Sequence, residues 1–164
     1  FLSYLFWAVN LPLVLREEKH RSYRIASSYI LALVLCGIVF VVYPGTLERP
    51  EVIGTGFFAD LTRFVYRVDS PTNLCPSLHV LISYFCWRWT LGSKVIPLWY
   101  KSFNLVFALL VCFSILFVKQ HVLIDIPTAL VLAEGTWQLV SRLKAERLWI
   151  AAEEKMRKKE RNNV

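Results

Sequence analysis

The sequence predicts an all-α fold, a polytopic bundle of helices embedded in a membrane. Three observations predict it. Of 164 residues, 56% are hydrophobic and the mean hydropathy is +0.47, whereas a soluble domain holds about 45–50% apolar residues. Charged residues make up only 19%, against roughly 25% in soluble domains. The charges also cluster, leaving apolar runs that approach the roughly 20 residues a hydrocarbon layer demands. This pattern excludes a disordered chain, a collagen, a disulfide miniprotein and a water-soluble globule. The length suits one domain.

Residues 1–15 are apolar but short for a crossing. The chain begins with Phe1 rather than Met, so the expectation is a fragment whose upstream portion is missing. Residues 25–43 make a full crossing, closed by Pro44 and Gly45, which end helices. A polar connector, 44–78, follows. Within it Phe57, Phe58, Leu61, Phe64, Val65 and Val68 recur at helical spacing, with Asp60, Arg63 and Arg67 on the other face. That pattern suits a helix lying on a membrane surface. Gly54-Thr55-Gly56 lacks a third glycine and any following G-K-[S/T], so it is read as a loop and not as a phosphate cradle. Residues 79–91, 102–118 and 121–140 are the third, fourth and fifth apolar segments, the last interrupted by Pro127. From Ser141 the chain is charged and reads as a surface helix. The domain division is one membrane-embedded unit, 1–140, and a basic tail, 141–164.

The net charge of +7 invites a nucleic-acid reading, but its distribution argues otherwise. Eight of the 19 Lys and Arg lie between Arg142 and Arg161, and four between Arg16 and Arg24. Basic clusters that flank apolar spans act as topology signals and contact anionic lipids. With five crossings, one side receives residues 16–24, 88–101 and the tail, and the other only Arg49, Arg63, Arg67 and Lys119. The positive-inside bias makes the first side cytoplasmic. The connector and the turn near His121 then face outward together, at the cell (plasma) membrane. Cys36, Cys75, Cys86 and Cys112 show no C-x-x-C spacing and are read as free thiols.

Chemistry-bearing residues gather on that outward side. Asp69, Asn73, Ser77 and His79 close the connector, and His121 and Asp125 open the fifth segment. Residues four apart share a face if the segment is helical. A carboxylate beside a histidine fixes its tautomer and favours the imidazolium. Asp125 in an apolar segment costs a few kcal/mol and is a functional candidate by default; the plainer reading pairs it with Lys119 at the interface. Glu134 sits away from that face and either snorkels or bonds another span. Zinc is disfavoured, since no H-E-x-x-H occurs and Cys75 is the one further ligand on that side. Ser77 lacks a nucleophile elbow.

These residues resemble the type 2 phosphatidic acid phosphatase superfamily, membrane lipid phosphatases related to vanadium haloperoxidases. Its three motifs are K-x6-R-P, P-S-x-H and S-R-x5-H-x3-D. Arg49-Pro50 matches the end of the first, Pro76-Ser77-Leu78-His79 the second, and Ser114, His121 and Asp125 the third. The resemblance covers residues 25–140. The longer run from Asp69 to His79 looks like a branch that includes inositol phosphorylceramide synthases and small bacterial members. Two positions depart: Val42 stands where the first motif has Lys, and Ile115 where the third has Arg. Lys119, one turn after 115, would replace the lost cation if the helix continued.

The resemblance implies a six-helix bundle of which five helices are present. It implies His121 as nucleophile, Asp125 as its orienting partner and His79 as general acid and base. Arg49, Ser77, Leu78, Ser114 and Lys119 would hold the phosphate, and Asp69 and Asn73 would touch a head group or brace the loop. No metal or cofactor is implied. The expected substrate is a lipid phosphate, and the expected partners are membrane lipids. The alternatives are a lipid phosphotransferase using the same triad, an inactive relative and a non-enzymatic membrane component.

Overall fold

The apolar periodicity of the sequence translates into helices. A computed structural model describes residues 2–162; Phe1 and residues 163–164 lie outside it. The described chain is all-helical, with seven helices: α1 (Leu2–Leu13), α2 (Lys19–Val42), α3 (Phe57–Val68), α4 (Leu78–Arg88), α5 (Leu98–Phe117), α6 (Asp125–Leu143) and α7 (Glu146–Asn162). A 3₁₀ turn, Val14–Arg16, follows α1, and one isolated bridge joins Thr46 to Thr72. Where the sequence leads one to expect five crossings, two helices among the described residues are long and apolar enough to cross a membrane: α2 with 24 residues and α5 with 20. α1 and α4 have 12 and 11 residues.

Local chemistry sets the boundaries. α4 starts at Ser77, whose Oγ accepts from the Val80 N–H at 3.4 Å, satisfying one of the donors that a helix start leaves free. α5 follows Pro97, whose fixed φ suits a helix entry. α6 begins at Asp125, not at His121 as the apolar run suggested. Pro127 therefore falls in the first turn, where its missing N–H forfeits no helical bond; it does not interrupt the helix. Lys144, with φ of 52°, closes α6 in the left-handed region.

The core lies between α2, α4, α5 and α6. Ala32 and Cys36 of α2, and Ala129 and Ala133 of α6, are fully buried in it with Leu81, Phe85 and Trp89. Small residues one turn apart let backbones approach closely, the packing that holds helices together when solvent contributes little drive. α1 joins through Trp7, whose indole N–H donates to Ser83 Oγ at 2.9 Å, and through Phe6, stacked on Phe107 at 4.4 Å. Glu134 bonds across helices: it accepts from Arg88 Nε at 2.8 Å and from the Tyr84 hydroxyl at 2.7 Å.

The tail is a docked helix. Glu146 accepts from Arg24 at 2.5 Å, Glu153 from Lys19 at 2.5 Å and from Tyr23 at 2.9 Å, and Trp149 donates to Ser27 at 2.8 Å. Its first turns thus lie on the start of α2, while the basic residues after Lys155 stay exposed.

Candidate active site

α4 and α6 bring their N-terminal ends together, the Ser77 N–H donating to the Asp125 carbonyl at 3.3 Å. Helix N-termini carry partial positive charge and N–H groups without helical partners. His79 and Asp125 therefore stand where an anion is favoured.

His121 lies in the loop 118–124, and its Nδ1 is 3.0 Å from Asp125 Oδ2. The pair forms, though not as two residues of one helix. α5 stops at Phe117, the chain turns through Lys119 with φ of 50°, and Asp125 opens α6. The same Oδ2 accepts from the Val122 N–H at 3.0 Å. Asp125 is 1% exposed and His121 9%. With Nδ1–H donated to the carboxylate, Nε2 keeps its lone pair. The His79 ring faces His121, centroids 5.6 Å apart and planes at 70°. Trp7 and Tyr4 flank His79 at 5.6 and 6.3 Å.

A cavity of about 480 Å³ opens beside this pair, within the range of small-molecule sites. Its walls are mainly apolar side chains of α1, α3 and α5, with Asp69, His79, Ser114 and Gln120 among its polar groups. His121 is not part of the wall and meets it through His79.

The other residues expected in the site are placed as follows. Ser77 is fully buried, its Oγ engaged as the α4 cap. Leu78 is the first residue of α4. Ser114 is exposed and lines the cavity. Lys119 is exposed, lies past the end of α5 and does not line the cavity, so the helical turn that would carry it over position 115 is not there. It also does not pair with Asp125, whose partner is His121. Arg49 holds Asp69, through Nη2 to Oδ2 at 3.0 Å and Nη1 to the carbonyl at 2.5 Å. Asn73 adopts φ of 58°, and its N–H donates to the Gly45 carbonyl at 2.8 Å, a bracing role. Ile115 is buried and faces the cavity, and Val42 is exposed at the end of α2.

Two residues the sequence did not single out belong here. Gln120 is buried and donates to Asp69 Oδ2 at 2.7 Å, and the Tyr66 hydroxyl donates to the Val118 carbonyl at 2.8 Å. Adjacency to His121 was the one signal for Gln120, and nothing local marked Tyr66. Among the described residues no group of three or more His, Cys, Asp or Glu could hold a metal.

Comparisons with protein-family models, with curated proteins and with solved structures find no match.

Proposed function

We propose that this chain is an integral membrane lipid phosphatase that works through a phosphohistidine. The observation that carries this reading is one constellation: His121 bonded to a buried carboxylate, His79 facing it at 5.6 Å, and a largely apolar cavity reaching His79. The three residues are those which the motif resemblance assigns to catalysis.

In this reading His121 Nε2 attacks phosphorus. The P–N bond forms as the P–O bond to the lipid breaks, and protonated His79 gives its proton to the leaving oxygen. Asp125 retains the Nδ1 proton and stabilises the positive charge growing on the ring. His79 next takes a proton from water, whose oxygen attacks the phosphohistidine; the P–N bond breaks and phosphate leaves. The N–H groups at the start of α4, with Ser114, bear on the phosphoryl oxygens as charge develops. Of the remaining groups that the resemblance assigns to phosphate, Arg49, Ser77 and Lys119 are each engaged or turned elsewhere in this structure.

The lipid chain occupies the cavity while the phosphate stands at His79. The helices cross the membrane as a polytopic bundle, with the site on the outer face of the plasma membrane and α7 in the cytoplasm. The two helices of crossing length and the basic tail support this orientation.

Phosphate release from a panel of lipid phosphates in detergent, with chelator present, tests the reading. Wild type releases phosphate, and His121→Ala loses it by about a thousandfold or more. A His121→Ala variant with full activity overturns the mechanism. Phosphoryl transfer to an added alcohol without net release would mark a transferase.

A further inference from the structure

His121 stands in a loop, so no helical ladder fixes its ring. Within its own segment, the Ile115 carbonyl accepts from the N–H groups of Gln120 and His121 at 2.9 and 3.3 Å, and Asp125 holds the ring. Beyond the flanking helices α5 and α6, two hydrogen bonds of the described chain hold residues 118–124. Tyr66 donates to the Val118 carbonyl, and Gln120 donates to Asp69. Both come from the C-terminal end of α3, and Arg49 organises both. Its guanidinium grips Asp69 at two points, reaches the Tyr66 carbonyl at 3.4 Å and lies 4.9 Å over the Tyr66 ring.

We infer that Arg49, Tyr66, Asp69 and Gln120 form a positioning network that holds the His121 loop in register with His79, with Arg49 acting through Asp69 and not as a phosphate ligand. What the loop does rests on the phosphohistidine reading; the network itself does not.

Three features argue for it. Arg49 has a side chain only 7% exposed and is absent from the cavity wall, whereas Asp69 and Gln120 line that wall. Turning Arg49 onto a phosphate would strip the half-buried Asp69 of its cation and give up the three contacts that Arg49 makes at Asp69 and the Tyr66 carbonyl. α3 buries none of its own residues, so these bonds are a main attachment between it and the site. α3 also supplies Phe58, Leu61 and Val65 to the cavity. Whatever fills the cavity therefore bears on the helix that steadies the nucleophile's loop.

Gln120→Ala, Asp69→Asn and their double variant test this in the full chain, with Tyr66→Phe as a milder change that removes one hydroxyl. Each of the first two lowers kcat between about tenfold and a hundredfold, the scale of a small misplacement of reacting groups. KM moves less than about twofold. The double variant loses little more than the worse single one, because both act on the Gln120–Asp69 bond, Gln120→Ala by removing its donor and Asp69→Asn by removing the charge that strengthens it. Tyr66→Phe acts in the same direction. Amide hydrogen exchange in residues 118–124 quickens in every variant, while exchange in α6 does not. A lower KM with intact kcat in Asp69→Asn would show Arg49 freed to bind phosphate and overturns the inference. A rise in kcat would make the bond a latch and overturns it too. If wild type releases no phosphate from any lipid, the phosphatase reading falls, and exchange alone then decides the network. Unchanged exchange in residues 118–124 overturns it.

Discussion

Asp125 is fully desolvated, yet one of its oxygens, Oδ1, has no hydrogen-bond partner. A buried carboxylate is stabilised only where something meets its charge, and here the His121 Nδ1–H and the Val122 N–H share Oδ2. That arrangement orients the ring and fixes which nitrogen bears the proton. Asp125→Asn keeps the size, and its carboxamide oxygen at the Oδ2 position still accepts from His121 and Val122, so what the change removes is the negative charge that would balance an imidazolium. Phosphate release is expected to fall by about a hundredfold or more, the scale of losing a preorganised group that meets developing charge. The thermal unfolding midpoint in detergent should stay close to wild type. A loss under tenfold in phosphate release would show that the charge of Asp125 does not serve His121.

At the scale of elements, α7 docks on α2 through two carboxylates. The hydrogen bond from Lys19, followed by that from Tyr23, holds the Glu153 carboxyl below its usual range. Burial pushes Glu146 upward, but the Arg24 hydrogen bond and a backbone N–H together bring it below the ordinary value. A carboxyl whose docked pKa is depressed favours docking fully above its free pKa of about 4.3, and that contribution disappears as pH falls through the lowered value. α7 is therefore expected to stay docked at neutral pH and to loosen progressively as pH falls below about 4.3. The fluorescence of Trp149, taken as wild type minus Trp149→Phe, would report the transition through loss of its bond to Ser27 and its stacking on Tyr23. A flat signal from pH 7 to pH 3 would rule out carboxylate-driven docking. The other elements follow the same local logic. α3 is legible because its apolar and charged residues recur with helical period, and α6 starts at Asp125, after the turn through Lys119.

For the whole molecule, the cavity is what joins α1, α3 and α5 to His79 and, through it, to His121. Leu110 lines it and is 57% exposed, so a larger side chain there has room without straining the core. Leu110→Trp is expected to lower kcat/KM about tenfold for long-chain lipid phosphates while leaving a short-chain soluble phosphate ester within about twofold. Measuring both substrates on one preparation separates chain exclusion from misfolding. Equal losses on both would remove the cavity from the chain-binding role.

The sequence alone determined the all-helical class, the amphipathic α3, the basic tail and the neighbourhood of His79, His121 and Asp125. Those features are written in periodicity, composition and short spacings, which act over one or two turns of chain. Tertiary structure decided the rest. It moved His121 off the helix, turned Lys119 away from position 115, and committed Arg49 to Asp69. It also brought Tyr66 and Gln120 to the site and left, among the described residues, two helices of crossing length where the sequence has five apolar runs. The physical reason is common to all of them. A loop has no repeating pattern to announce its path, and a side chain's partner is chosen among groups that only packing brings within about 3 Å. Arg49 and Asp69 are twenty residues apart, and Asp69 and Gln120 fifty-one; no local rule links such positions before the chain has folded.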